Sequence, residues 1–162
     1  MTIRPATPSD AEAIAAIYNY YVTQTIVTFE EETVAPSEML RRMEEVQLAS
    51  LPWLVGEVDG RVAGYAYAGK WKGRSGYRFS AEVTVYLDPA HLGRGLGSRL
   101  YDRLFEILRS CGTHAIMGGI ALPNTASVAL HEKFGLEKVA HFKAVGFKFD
   151  RWIDVGYWQR IL

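Results

Sequence analysis

The sequence lacks several features, and each absence removes a class of function. It has one cysteine, Cys111, in 162 residues, so an internal disulfide framework and any multi-cysteine metal site are excluded. A reducing cytoplasm fits that usage best. It has no excess of either charge, since 18 Lys and Arg stand against 18 Asp and Glu. Nucleic-acid binding runs on phosphate neutralisation and leaves a basic footprint, which this balance does not provide. Long apolar runs are missing too. The opening Met-Thr-Ile-Arg-Pro-Ala-Thr-Pro has no secretory signal pattern. The uncharged stretch from Ser110 to Leu130 is broken by His114, Pro123, Asn124 and glycines, so it is no membrane span. His114 and His141 show no metal-ligand spacing, and no metal is expected.

What is present is enough for one core. Apolar residues make up 49% of the chain, and no repeat, linker or low-complexity tract divides it, so residues 1–162 read as a single domain. Thr2–Ala6 reads as a strand. Thr7 is placed to cap a helix with Pro8 at its first position and Asp10 in its first turn. Ile14, Ile17, Tyr18, Tyr21 and Val22 then follow helical spacing. Pro36–Leu48 is a second helix, with Met39, Leu40, Met43 and Val46 on one side. Trp53–Val58 and Val62–Ala68 flank Asp59-Gly60, a strong hairpin signal. Phe79–Leu87 is a strand ended by Asp88-Pro89. A third helix runs from about Gly95 to Arg109, with Leu96, Leu100, Leu104 and Leu108 four residues apart. Ala115–Ala121 is a buried strand, Pro123–Phe134 a helix ended by Gly135, and Glu137–Val145 and Asp150–Ile161 are two last strands. The order β-α-α-β-β-β-α-β-α-β-β predicts an α/β fold, a mixed sheet with helices on both faces.

The chemistry gathers where the strand at Glu82–Leu87 runs into Leu92-Gly93-Arg94-Gly95-Leu96-Gly97-Ser98 and then a helix. Glycines let the backbone approach an anion, free N–H groups and the helix dipole favour negative charge, and Arg94 adds a cation. A phosphate or pyrophosphate is the natural occupant. A dinucleotide loop would place a third glycine where Ser98 stands, and an acid near Thr113–Ile120, where there is none. A nucleoside-triphosphate loop would end in Gly-Lys-Ser/Thr, also absent. A glycine turn without a ligand stays open on the residues alone.

The loop resembles the coenzyme A pyrophosphate loop of the GNAT N-acetyltransferase superfamily, Gln/Arg-x-x-Gly-x-Gly/Ala, with Leu92 departing from the first position. The second superfamily signature, Asn-x-x-Ala/Ser-x-x-Leu-Tyr-x-x-x-Gly-Phe, resembles Asn124 through Leu136, with His131 in place of Tyr. Tyr65–Lys72, Glu82–Tyr86, Ala121–Ser127 with Leu130-His131-Glu132, and Trp152–Arg160 are similar to phosphinothricin and methionine sulfoximine N-acetyltransferases, over nearly the whole chain from Ile3 to Ile161. The resemblance implies the acyl-CoA N-acyltransferase fold, whose mixed central sheet is mostly antiparallel. It also implies acetyl-CoA as co-substrate.

Acetyl transfer to an amine needs a base for the amine proton, a hold on the oxyanion and a proton for the leaving thiolate. Glu82 is the candidate base: a carboxylate in a strand of Val, Thr and Tyr, sharing a face with Thr84 and Tyr86. A solvating edge-strand residue is its plain alternative. The resemblance agrees with the base. It also implies that the main chain of Val85, Tyr86 and Leu87 holds the acetyl carbonyl and pantetheine arm, and that Asn124 contacts coenzyme A, although helix capping suffices for Asn124. His131, with Tyr86 behind it, is the candidate acid toward the thiolate; a buried His satisfied by a carbonyl is equally open. Cys111 has no basic neighbour to activate it.

Lys70, Lys72, Arg74 and Arg78, around Gly73, Ser75, Gly76 and Tyr77, form a cationic loop suited to an acceptor carboxylate. A solvated basic loop is the alternative. Phe29, Trp71 and Trp152 could wall the pocket. The expected activity is acetyl-CoA-dependent acetylation of small amino-acid-like amines such as phosphinothricin, methionine sulfoximine and methionine sulfone, by direct transfer in a ternary complex. Another amine (a polyamine, an aminoglycoside, a protein N-terminus) or a non-catalytic coenzyme A binder are the alternatives. The expected setting is the cytoplasm, with no nucleic-acid or membrane partner. Relatives suggest a homodimer through Trp152–Tyr157.

Overall fold

The computed structural model describes residues 1–162. Its elements follow the predicted order: strands β1 Thr2–Pro5, β2 Trp53–Val58, β3 Arg61–Lys70, β4 Ser80–Leu87, β5 Ala115–Leu122, β6 Glu137–Lys148 and β7 Arg151–Ile161, with helices α1 Ala11–Gln24, α2 Pro36–Leu48, α3 Leu96–Ser110 and α4 Thr125–Lys133. One seven-stranded sheet carries them in the order β1-β2-β3-β4-β5-β7-β6. Every pairing is antiparallel except β4 with β5, so the sheet is mixed and mostly antiparallel.

Two apolar layers fix the helices to opposite faces. The leucine row of α3 (Leu96, Leu100, Leu104, Leu108) is buried against Leu54, Ala66, Val83 and Ile116 on one face. On the other, Ile14, Ile17, Tyr18 and Val22 of α1 and Met39, Met43 and Val46 of α2 cover Trp53, Val55 and Tyr65. Tyr21 is half-buried at the edge of that layer, and its hydroxyl donates to the Leu87 carbonyl at 2.6 Å. No helix is long and apolar enough to cross a membrane.

The structure moves some boundaries for identifiable reasons. Pro8–Asp10 is a 3-10 turn, and α1 starts only at Ala11. Thr7 is the N-cap of that turn, as expected, and Asp10 supports it by accepting the Thr7 N–H at 2.7 Å. The strand expected to stop at Val145 continues to Lys148, because Phe149 and Asp150 form a tight turn with φ of 52° and 56°. Neither is a glycine, so the turn gave no signal. The Asp59-Gly60 hairpin forms as predicted, with φ of 51° and 74°. The β6–β7 hairpin projects with Phe142, Val145, Phe147, Phe149 and Trp152 exposed.

Candidate active site

Strand β4 pairs with β3 along its whole length, but with β5 only from Ser80 to Glu82, opposite Ala115 to Met117. Beyond Glu82 the two strands part. A wedge-shaped slot opens between them, with the main chain of β4 as one wall. A small cavity of ≈ 50 Å³ lies in it, lined among others by Val85, Tyr86, Gly119, Asn124, Ser127 and His131. Of the three residues expected to offer main chain here, Leu87 has its carbonyl engaged by Tyr21. Val85 and Tyr86 remain as the wall.

The faces of the slot differ in chemistry. Side chains alternate along a strand, and adjacent glycines in β5 show what each side holds. A Cβ at Gly118 would overlap the His131 ring, which comes from α4. A Cβ at Gly119 would lie 3.1 Å from the Glu82 Oε1 and 3.1 Å from the Tyr157 ring. So Glu82 and Tyr157 occupy the α1/α2 face, and His131 the α3/α4 face. Glu82 shares its face with Tyr67 and Tyr86, as alternation predicts. Burial pushes its carboxyl above the usual range, while the Lys72 cation and the Tyr157 hydroxyl draw it back down. A half-buried carboxylate whose proton affinity is raised by desolvation is suited to proton transfer.

On the α3/α4 face, the segment Leu92–Ser98 forms the mouth. Gly93 and Gly95 take φ of 72° and 79°, the left-handed region that glycine enters without strain. Gly95 is also the N-cap of α3 and has no side chain to cap with. The first intrahelical bond there is Arg99 N–H to the Gly95 carbonyl, so the N–H groups of Leu96, Gly97 and Ser98 are free for an anion. Arg94 is exposed beside them. Lys133 adds a cation, donating to Ser98 Oγ at 2.8 Å. This donor set fits a pyrophosphate. Asn124 caps α4, accepting from the Ser127 N–H at 3.1 Å, and also lines the slot.

His131 is 4% exposed, with both ring nitrogens engaged. Nδ1 lies 2.7 Å from the Ser127 carbonyl and must carry the proton; Nε2, 3.1 Å from the Tyr101 hydroxyl, then accepts. Burial holds the ring pKa below its usual value. This is the satisfied-core arrangement, in a residue that nonetheless borders the slot. The phenol of Tyr86 is pushed well up by burial in a cluster with Tyr18, Tyr21 and Tyr65.

The basic loop joins β3 to β4 and is exposed throughout from Lys72 to Phe79. Ser75, Gly76 and Tyr77 form a 3-10 turn. Arg78 donates to the Ser75 carbonyl at 3.1 Å and lies 4.4 Å over the Phe79 ring. Arg74 is exposed at the same rim, and Lys72 is the member of the loop whose charge acts on Glu82. Phe29 joins Tyr157 and Phe142 in lining a groove of ≈ 570 Å³. Trp71 packs edge-on against Tyr157 at 5.6 Å. Trp152 does not join this wall: it is 67% exposed and packs on Phe147.

Sequence reasoning passed over Tyr157, Gly119 and Lys133. The Gly118-Gly119 pair in a buried strand was a usable signal, since strand glycines mark close approach. Tyr157 had none, because only the β5–β7 register sets it opposite Gly119.

Comparison with known proteins agrees with this geometry. Residues 3–156 match the acetyltransferase (GNAT) domain family. A phosphinothricin N-acetyltransferase from Streptomyces viridochromogenes is 43% identical, over 98% of this chain and 86% of that one. An L-methionine sulfoximine/L-methionine sulfone acetyltransferase from Salmonella typhimurium is 42% identical, over 98% and 93%. The structure of a GNAT superfamily phosphinothricin acetyltransferase from Sinorhizobium meliloti in complex with acetyl-CoA superposes with a TM-score of 0.97 at 34% identity, covering 99% of this chain and 88% of that one. With a glycine loop at a helix start, a splayed strand pair and a half-buried carboxylate across the slot, this chain belongs to the GNAT family and is an acetyltransferase.

Proposed function

We propose that the protein transfers the acetyl group of acetyl-CoA directly to the amino group of small amino-acid-like amines, of the phosphinothricin, methionine sulfoximine and methionine sulfone type. The observation that carries this reading is the two-sided slot: anion donors open on one face, and Glu82 waits on the other. The names of the two relatives support the acceptor class.

In the ternary complex, the N–H groups of Leu96–Ser98 and Arg94 hold the pyrophosphate, and the main chain of Val85 and Tyr86 orients the thioester. Glu82 takes a proton from the acceptor's ammonium, directly or through one water. The freed nitrogen attacks the thioester carbon, a C–N bond forms and the C–S bond breaks. The thiolate leaves on the side of His131, and the second proton of the attacking nitrogen passes to it, directly or through water. His131 has its one proton committed to Ser127, so we assign it a minor share of that step; Tyr86 has a smaller one. A covalent acetyl-enzyme is disfavoured, because Cys111 sits exposed at the far end of α3 from the glycine loop. Lys72, Arg74 and Arg78 at the rim favour a carboxylate-bearing acceptor over a polycation.

Coenzyme A thiol release with phosphinothricin, methionine sulfoximine, methionine sulfone, spermidine, kanamycin and a Ser/Ala peptide tests the reading. Turnover is expected with the first three and is expected to collapse in Glu82→Gln. Turnover on spermidine or kanamycin instead overturns the acceptor class. Tight acetyl-CoA binding with no turnover of any acceptor overturns the catalytic assignment.

We also propose that the exposed apolar side chains of the β6–β7 hairpin pair two copies of the chain, in the reducing cytoplasm where the free, exposed Cys111 is safe. Light scattering at twice the chain mass of 18.1 kDa is the expected result; a monomer mass at micromolar concentration rejects it.

A further inference from the structure

The segment between α1 and α2, residues 25–35, has no regular secondary structure, so side chains must set its path. Most of its anchors come from the two helices. Asn19 exchanges bonds with the Val34 main chain at 2.8 and 2.9 Å. The Tyr18 hydroxyl is 2.7 Å from Thr28 Oγ1 and bonds Glu30, which Arg42 grips at 2.7 and 2.9 Å. These contacts tie the segment to α1 and α2. They do not tie it to the sheet arm that carries Tyr157.

Two contacts do that. The Lys148 ammonium, on β6, donates to the Thr28 carbonyl at 2.8 Å and to the Tyr21 carbonyl near the end of α1 at 3.4 Å. The Phe29 ring lies on Gly146, so closely that a Cβ there would overlap it. Lys148 is only 2% exposed, and its hydrogen bonds go to carbonyls. Burying an ammonium this way is expensive, and an apolar side chain of similar length would suit the packing better. Glu30 and Glu31 favour the cation through space, but its hydrogen bonds go to the main chain of the segment it holds.

We propose that Lys148 is a positioning residue of the acetyl transfer. It straps the Thr28–Phe29 segment to β6, so that Phe29 and Tyr157 face each other across the groove through which the amine reaches Glu82. This rests on the acceptor assignment above and adds the residue that sets the width of the entrance. The effect falls on one substrate, since the strap lies on the α1/α2 face, away from the glycine loop.

The test is Lys148→Met, which keeps the length and removes the donor. The expected KM for the amine rises about tenfold, while the KM for acetyl-CoA stays within about twofold and kcat changes little. Backbone hydrogen exchange over residues 25–31 is expected to quicken, with the melting temperature unchanged or higher. An unchanged amine KM, or a parallel rise in both KM values, overturns the proposal. If Lys148→Met does not fold, Gly146→Ala decides: its Cβ displaces Phe29 while leaving the ammonium in place, and the same split between the two KM values is required. If the wild type acetylates none of the panel, the acceptor assignment fails by itself. Exchange over residues 25–31 then still decides the strap, and unaltered rates reject it.

Discussion

Two acidic side chains are withdrawn from solvent in this protein, one at the corner where β1 meets the turn before α1, the other in the middle of β4. Their pKa values move in opposite directions. Asp10 is 5% exposed, but Arg4 meets it with two bonds of 2.8 Å and the Thr7 N–H adds a third at 2.7 Å. Its pKa is held down to about 2. Glu82 has no arginine fork. Its companions are a tyrosine hydroxyl and a lysine acting through space, so desolvation prevails and its pKa rises. Burial is common to both, and the partner decides the sign. A carboxylate that completes a fold is locked as an anion. One that must take up a proton is left short of donors.

Substitution should separate the two sites cleanly. Glu82→Gln is expected to lower kcat by about 10²–10⁴ with little change in melting temperature, because the amide fills the same space without leaving a buried charge. Asp10→Asn should do the reverse, leaving turnover per folded molecule near wild type and lowering the unfolding free energy by about 2 kcal/mol, measured by urea titration. The sign follows from the depressed pKa. Asp10 contributes its stability above the unfolded value of 3.8 and loses it as pH falls through about 2. The variant's acid unfolding should flatten over that window. A Glu82→Gln enzyme that keeps its kcat, or an Asp10→Asn protein as stable as the wild type, breaks the contrast.

A smaller perturbation reaches Glu82 without changing it. At Gly119 an added Cβ would sit 3.1 Å from the carboxylate and 3.1 Å from the Tyr157 ring, so both must yield by a few tenths of an ångström. Gly119→Ala is expected to cost about tenfold in kcat, with acetyl-CoA binding by calorimetry unchanged. A full wild-type rate would mean that the carboxylate has more room than its packing indicates.

Much of this contrast is legible in the sequence, but unevenly. Glu82 stood out as a charge in an apolar strand, and the glycine loop announced itself through its position between a strand and a helix. Helix α2 and strand β2 have the boundaries that periodicity and the Asp59-Gly60 turn predict, because local pattern and tertiary packing agree there. Failures lie where a long-range partner overrides the local signal. Tyr157 meets Glu82 through the β5–β7 register, and Lys148 meets Thr28 across 120 residues. Trp152 was a candidate wall residue, and the alternation of β7 puts it on the opposite face from Tyr157.

The smallest expected effect tests the electrostatic half of the comparison. Lys72 favours the charged form of Glu82, so Lys72→Gln should raise the Glu82 pKa further and move the acidic limb of kcat against pH to higher pH. An exposed lysine acts through solvent, which keeps the shift small. The same attraction is screened by salt, so the wild-type limb should drift toward that of the variant as ionic strength rises, and the variant's own limb should not. Asp10 offers the control: its arginine bonds are direct and short, so its acid transition should hardly respond to salt. An acidic limb that moves with neither Lys72→Gln nor salt would belong to a group other than Glu82, and the assignment of the base would then have to change.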